Sequence, residues 1–334
     1  MQSTLDSDTK SATPDVAEPT VRDTLIPGPS AAVGDDESTL FIRDVTRVDC
    51  ALFDASLGIV GQSWHVDLSV SGALDDNGFV YDFSPLKSLV SQVLKSTVDH
   101  ALLIPVGSQM VQYSETANGE QWRFHAKARM SKTDCTWDYQ CPKGAVFPIR
   151  AIALRTAIVE QEISRLLRHR LPESIRQISI KLREEKTKPT EATYRYTHGI
   201  KGHSGLCQRL FHGHKSRIEV HIGDERRPDL EHFVAREVFG ANVHIATPDQ
   251  VKSGRGEIGV RSKSDEPITL AFAGSLGSYE ATLPANRIFF VERETSVECI
   301  ARQVALLIKR EEAPKERVRI VCFEGINKGA VAEV

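Results

Sequence analysis

His198-Gly-Ile-Lys-Gly-His203-Ser-Gly-Leu-Cys207-Gln-Arg-Leu-Phe-His212-Gly213-His214 runs directly into Lys215-Ser-Arg-Ile-Glu-Val-His-Ile222. The second stretch alternates apolar and polar residues, which predicts a half-buried strand with His212 and His214 at its start. Side chains alternate along a strand with period two, so two histidines flanking one glycine point to the same face. A third histidine upstream closes a tripod on that face. Three neutral imidazoles leave a fourth tetrahedral position open, the catalytic rather than the structural kind of zinc site. Cys207, close by in sequence, is a candidate nucleophile or base. The competing reading is a histidine-rich loop that binds nothing, since short histidine motifs recur by accident.

Outward from this stretch the chain reads as a repeat at domain scale. Thr193 to His198 is strand-like, His212 to Ile222 is its partner, and Leu230 to Val238 is helical. Ser296 to Arg310 has apolar residues at helical spacing, and Arg317 to Cys322 closes the unit as a strand. The same order runs earlier in the chain. Thr39 to Val48 and Trp64 to Val70 have strand character, and Leu86 to Leu94 is an amphipathic helix. A second helix spans Ile149 to Leu167, and Gln177 to Leu182 closes. Residues 106–146 are an insertion. Residues 1–38, rich in Ser, Thr, Asp, Pro and Gly, read as a disordered tail, since such a composition buries too little apolar surface to offset ordering entropy. The division expected is tail 1–38, first unit 39–188, second unit 189–334.

At 334 residues and a net charge of −3, the chain is long enough for two domains with cores and shows no general affinity for nucleic acid. No apolar run approaches a membrane span. Six scattered cysteines without a regular framework point to reduced thiols and a cytoplasmic location.

The tripod stretch resembles the 6-pyruvoyltetrahydropterin and 6-carboxytetrahydropterin synthases. Their signature is a histidine ending one strand, then a cysteine, then His-Gly-His opening the next. His198, Cys207 and His212-Gly213-His214 match it here, with five steps from Cys207 to His212 where the family usually has four. The resemblance extends to Gly78, Asp82-Phe83 and Asp99-His100 in the first half, and to Glu298 and Glu324 in the second. Aligned by eye, the first half has Ala51 in place of the first zinc histidine and Val60-Gly61-Gln62 in place of His-Gly-His. The second half keeps the tripod but has Asn242-Val243-His244 where the Asp-His pair belongs. The halves are therefore complementary, or both are degenerate and the complementarity is coincidence.

The resemblance implies an α+β fold of two tandem tunnelling-fold units, each an antiparallel four-stranded sheet with two helices, joining into a barrel within a homo-oligomer. It implies Zn²⁺ on His198, His212 and His214, with Cys207 and the Asp99-His100 pair as catalytic groups. Glu324 would anchor the pterin ring through a planar bidentate match. Glu298 would support it or cap its own helix. Lys201, Arg209, Lys215 and Arg217 surround the motif and can meet a triphosphate or remain solvated charges. The implied activity is a lyase converting 7,8-dihydroneopterin triphosphate to 6-carboxytetrahydropterin, on the route to 7-deazapurines such as queuosine. The alternatives are elimination to 6-pyruvoyltetrahydropterin, or a non-catalytic pterin- or zinc-binding regulator on a degenerate synthase fold.

Overall fold

A computed structural model describes residues 37–115, 121–130, 133–240 and 242–334. The expected tail falls outside the described residues, except that Glu37 and Ser38 already belong to the first strand.

The first half begins with a long hairpin, β1 (Glu37–Asp54) and β2 (Gly58–Ala73), followed by α1 (Phe83–Ser96) and β3 (Leu102–Pro105). Asp82 caps α1 by accepting a hydrogen bond from Ser84 N at 3.0 Å, one of the four donors a helix start leaves open. The inserted strands β4 (Val111–Glu115), β5 (Gln121–Met130) and β6 (Thr133–Pro142) come next, then β7 (Val146–Ile149), α2 (Thr156–Arg168) and β8 (Ile175–Arg183). The helix expected from Ile149 therefore starts at Thr156; Val146–Ile149 pairs with β3 instead, and the sheet claims those apolar residues.

The second half replays the order. A hairpin-like pair, β9 (Thr193–His198) and β10 (His212–Ile222), precedes a short β11 (Glu225–Arg226) and α3 (Pro228–Phe233), which continues as a π-type turn to Phe239. Then come β12 (Val243–Ala246), β13 (Val251–Ser253), β14 (Pro267–Gly274), β15 (Gly277–Pro284), β16 (Ile288–Phe290), α4 (Val297–Glu311), β17 (Val318–Phe323) and β18 (Gly329–Glu333). Among the described residues no helix is long and apolar enough to cross a membrane.

Three sheets result. The first runs β7-β3-β1-β2-β8, and the second β16-β12-β9-β10-β17-β18 with β11 beside β10. Each is wider than the four antiparallel strands expected, and each is mixed. β3 joins β1 in parallel and β7 joins β3 in parallel, as β12 and β16 do beside β9. Short extended segments on either side of each insertion are carried to the edge beside β1 and β9 and pair there, which moves the sheet edge outward to the short strands β7 and β16. The third sheet, β13-β14-β15-β6-β5-β4, was not expected; residues 106–146, read only as an insertion, supply three of its strands. A second insertion between β12 and β16 supplies the rest, and β15 pairs with β6 to join the two halves.

Apolar faces pack accordingly. Trp64, Val66 and Leu68 of β2 meet Leu86 and Val90 of α1 and Ile163 and Leu167 of α2. Tyr194, Ile218 and Val220 meet Ile300, Val304 and Ile308 of α4. Trp137, Tyr139, Leu270 and Tyr279 of the joint sheet close over Phe53 and Phe211 at the strand ends. Burying one such side chain contributes roughly 1.5–3 kcal/mol. The central strands β2 and β10 cross where a Cβ on Gly213 would lie 2.7 Å from the Gly61 Cα, so only glycine allows the backbones this close.

Candidate metal and catalytic site

Antiparallel pairing of β9 with β10 sets His198 directly opposite His212, and the period of two brings His214 to the same face. All three rings are buried, and one nitrogen of each lies within 4.8 Å of the others. The Nε2 atoms of His198 and His214 are 3.1 Å apart. Each Nδ1 faces away to its own acceptor: His198 to the Thr295 carbonyl at 2.6 Å, and His212 to the Arg209 carbonyl at 3.0 Å. His214 Nδ1 lies 3.3 Å from Asp49 Oδ1, at ion-pair distance. A carbonyl only accepts, so Nδ1 of His198 and His212 carries the proton and Nε2 presents its lone pair inward. Burial pushes the imidazolium forms of His198 and His212 well below their usual range, and neighbouring histidines add to the effect. Neutral imidazoles with converging Nε2 atoms and held Nδ1 atoms are the donor set a divalent transition metal takes. The residues present fit such an ion.

Asp49 comes from β1 of the other half and was not singled out in the sequence. Its only signal is a carboxylate at the point where β1 turns from exposed to fully buried. Ser63 donates to Asp49 Oδ1 at 2.5 Å, and Lys328 Nζ lies 3.0 Å from Oδ2. Burial works to raise the Asp49 pKa, but His214, Lys328 and Ser63 outweigh it and hold the carboxyl well below the usual range. Glu324 enters the same pocket. Its Oε1 is 3.8 Å from Nε2 of both His198 and His214, and its Oε2 is 3.8 Å from Lys328.

The Asp-His pair stands beside the tripod. His100 has a left-handed backbone (φ 56°), uncommon outside glycine, and its N–H is held by the Asp49 carbonyl at 2.7 Å. Asp99 Oδ1 accepts from Asp49 N at 3.1 Å, and Oδ2 lies 3.1 Å from His100 Nδ1. The ring centroids of His100 and His212 are 5.1 Å apart. A ligating atom from each of His100, Cys207 and His212 falls within 4.8 Å of the others. Burial opposes the imidazolium of His100, yet Asp99 and Cys207 push its pKa up to about 10. The half-buried Cys207 sits on a short 3-10 turn, Leu206–Gln208. Arg209, on the same connection, donates to the Asp99 carbonyl at 3.1 Å while its own carbonyl holds His212. It is buried and ties the two halves together, not a solvated charge.

A cleft of about 410 Å³ opens over this cluster, lined by Asp44, Arg47, Asp49, Asp99, His100 and Lys328. Lys201 is paired with Asp249, Lys215 with Glu184, and Arg217 with Glu185 and Glu191; none of them lines the cleft. Glu298 is exposed on the first turn of α4, and the Ser296 side chain makes no cap bond there. His203 is exposed and accepts from Gly205 N, outside the tripod.

Strand register corrects two alignments. Gly61 pairs with Ala51 as Gly213 pairs with Thr197, so Leu52, not Ala51, is the counterpart of His198. Leu102 pairs with Ala51 as His244 pairs with Thr197, so His244 matches Leu102, and Asn242 matches His100. His244 is a core residue: buried, 3.0 Å from Thr197 Oγ1, edge-on to Phe211, and pushed by burial down to about 3. A slip of one or two residues is invisible to sequence where strands are short.

Residues 58–136 match the family model described as 6-pyruvoyl tetrahydropterin synthase. Similar solved structures include the 6-pyruvoyl tetrahydropterin synthase of Plasmodium vivax, 21% identical over 46% of this chain and 95% of that one, with a TM-score of 0.36. That of Plasmodium falciparum is 22% identical over the same shares, also with a TM-score of 0.36. A search of the curated proteins finds no match. The matched segment holds Asp99 and His100 but none of the tripod.

Proposed function

We propose that this chain is a zinc-dependent tetrahydropterin synthase, a lyase acting on 7,8-dihydroneopterin triphosphate. The observation that carries the reading is the joining of Cys207, His100 and Asp99 to a buried three-histidine donor set across two halves of one chain. In this reading residues 39–188 bring the acid–base pair and residues 189–334 hold the metal, the thiol and the pterin anchor.

His198, His212 and His214 would hold Zn²⁺, which when bound polarises the substrate's side-chain hydroxyls. Cys207 takes the carbon-bound proton next to them. His100, whose Nδ1 lies 3.1 Å from Asp99 and whose ring also meets Cys207, passes a proton to the departing or rearranging oxygen. Asp99 orients the ring and stabilises its imidazolium, as carboxylates do in other histidine pairs. Glu324 accepts from the N–H edge of the pterin. Arg47 and Lys328, which line the cleft, are the cations available to the triphosphate. Glu298 is left out of this set by its position. A cytoplasmic location goes with the reading, because Cys207 must stay a thiol. Among the described residues β8 and β18 end their sheets without a further strand, edges that would pair with other copies in a barrel built by a homo-oligomer.

Of the two products, 6-carboxytetrahydropterin is the first reading. The name of the matched family model favours the 6-pyruvoyl product. Incubation of zinc-loaded protein with dihydroneopterin triphosphate, followed by mass spectrometry of the pterins, separates them. Unchanged substrate with one zinc bound per chain would overturn both and leave the binding protein.

A further inference from the structure

A second charged cavity lies away from the histidine cluster, at the β16 edge of the second sheet. It measures about 360 Å³, and its charged lining residues are Arg261, Lys263, Arg287 and one carboxylate, Glu237. A neighbouring cavity of about 520 Å³ shares Arg261, Ser262 and Lys263 and adds the apolar Ile268, Ile288 and Phe290. The loop that carries the cations is fixed on the strand. Gly259 N donates to the Phe290 carbonyl at 2.9 Å, and Arg261 bridges to Phe289. Gly240, with φ 58°, leaves the space its Cβ would take to the Arg261 guanidinium.

The charge balance of this place is unusual. Arg261 is partly buried and donates weakly to the Val238 carbonyl at 3.4 Å, while Arg287 donates to the Leu57 carbonyl in the hairpin turn of the first half. Among the described residues neither guanidinium has a carboxylate partner at ion-pair distance; Glu237, which shares the cavity lining, pairs with Arg236 at 2.6 Å and offsets Arg261 only from farther off, leaving three cations against one carboxylate. Burial pushes Arg287 down to about 10, and the nearby Arg261 adds to that. The Asn286 Oδ1 is buried and without a hydrogen-bond partner; as an acceptor it suits an N–H or O–H of the organic part of a ligand, not the anion. Two like charges held together in a preformed cavity raise the energy of the fold unless an anion offsets them, and guanidinium forks match phosphate oxygens in pairs.

We propose that Arg261, Lys263 and Arg287 form a non-catalytic site for a phosphorylated small molecule, seated between the second sheet and the hairpin turn of the first half. The apolar cavity beside it would take the organic part of such a molecule. The site is independent of the zinc-synthase reading.

Calorimetric titration of the full chain with inorganic pyrophosphate and tripolyphosphate, at matched ionic strength, tests it. One anion at this cavity is expected, besides any held by Arg47 and Lys328 in the histidine cleft, with a rise in Tm of about 3 °C or more at saturation. K263Q, at an exposed position, and R287Q should each weaken this binding event about tenfold, while R47Q/K328Q, which removes the cleft cations, leaves it intact. Absence of binding at millimolar anion would overturn the site, as would undiminished binding by both K263Q and R287Q. Loss of all binding in R47Q/K328Q with K263Q unaffected would place the anion in the histidine cleft and also overturn it. Preferential binding of a single-stranded oligonucleotide that tripolyphosphate does not displace would replace the small molecule by a nucleic-acid backbone.

Discussion

The chain holds two places of one design, and they are filled with opposite charge. In the second half, the strand positions of the tripod carry His198, His212 and His214; in the first half the same positions carry Leu52, Val60 and Gln62. Each place is completed by a residue crossing from the other half. Asp49 reaches His214, and its counterpart Arg195 reaches the Gln62 amide and the Gly61 carbonyl, the latter at 2.8 Å. Each also has a glutamate from its closing strand, Glu324 in one and Glu184 in the other. Glu324 faces histidine nitrogens, whereas Glu184 accepts from Gln62 at 2.7 Å and pairs with Arg195 and Lys215. The difference is one of charge compensation. Where the donor set fits a dication, an anion crosses over to orient a ligand. Where the histidines are gone, the crossing residue is a cation that supplies the positive charge the glutamate still needs. The first place is therefore rebuilt as an ion-pair and amide network, not left as decay.

The largest effect separates the two places outright. H212A and H214A should drop bound metal from one per chain to background by elemental mass spectrometry, with turnover falling by about 10⁴-fold or more. Q62A should change neither. Retention of one metal per chain in H212A would break the comparison at its root.

Next in size is the acid–base pair that only one place possesses. D99N and C207A should each lower turnover by about 10²–10⁴-fold with metal content whole. Full activity in D99N would make the first half a scaffold, and metal loss in C207A would move the thiol into the ligand set.

Much of this was legible from local pattern, and the remainder depends on contacts far apart in sequence. The tripod could be read because its geometry lies in one hairpin, where period-two alternation converts spacing into direction. Asp99-His100 and Cys207 stood out by type. Asp49 could not be read as a partner of His214, since 165 positions separate them and a lone aspartate in a strand carries no direction. The second insertion had a signal that went unused: Ile268, Leu270 and Phe272 alternate up to Gly274, and Gly277 opens a matching strand. Its meaning, a sheet shared with residues 121–142, exists only once β15 meets β6. Sheet width was misjudged for the same reason, because β3, β7, β12 and β16 are three or four residues long and are strands only by virtue of what they pair with.

A smaller effect sharpens the crossing itself. D49N keeps the shape of the side chain but removes the charge behind His214. Metal affinity should fall about 10–100-fold, the range seen for partners that orient a ligand. Competition with a chromophoric chelator reads this directly, and turnover at saturating zinc should be largely retained. Unchanged affinity would leave Asp49 with only its bonds to Ser63 and Lys328.

The smallest expected effect falls on the rebuilt place. E184Q leaves the Arg195 and Lys215 charges beside each other without the negative charge they share, while an acceptor oxygen remains. Glu184 is 43% exposed, so water screens the loss, and urea unfolding should register no more than about 1 kcal/mol. The dependence on pH identifies the source. Burial tends to raise the Glu184 pKa, but the bonds from Lys215 and Gln62 lower it overall. A carboxyl lowered by folding contributes its stability above the pKa of the unfolded chain and loses it as pH falls through the folded value. The gap between wild type and E184Q should therefore be full at pH 7, close on acidification below about pH 4, and narrow in high salt. A gap that persists in acid would mean that Glu184 contributes packing, and the first place would then be a remnant without a compensating charge network.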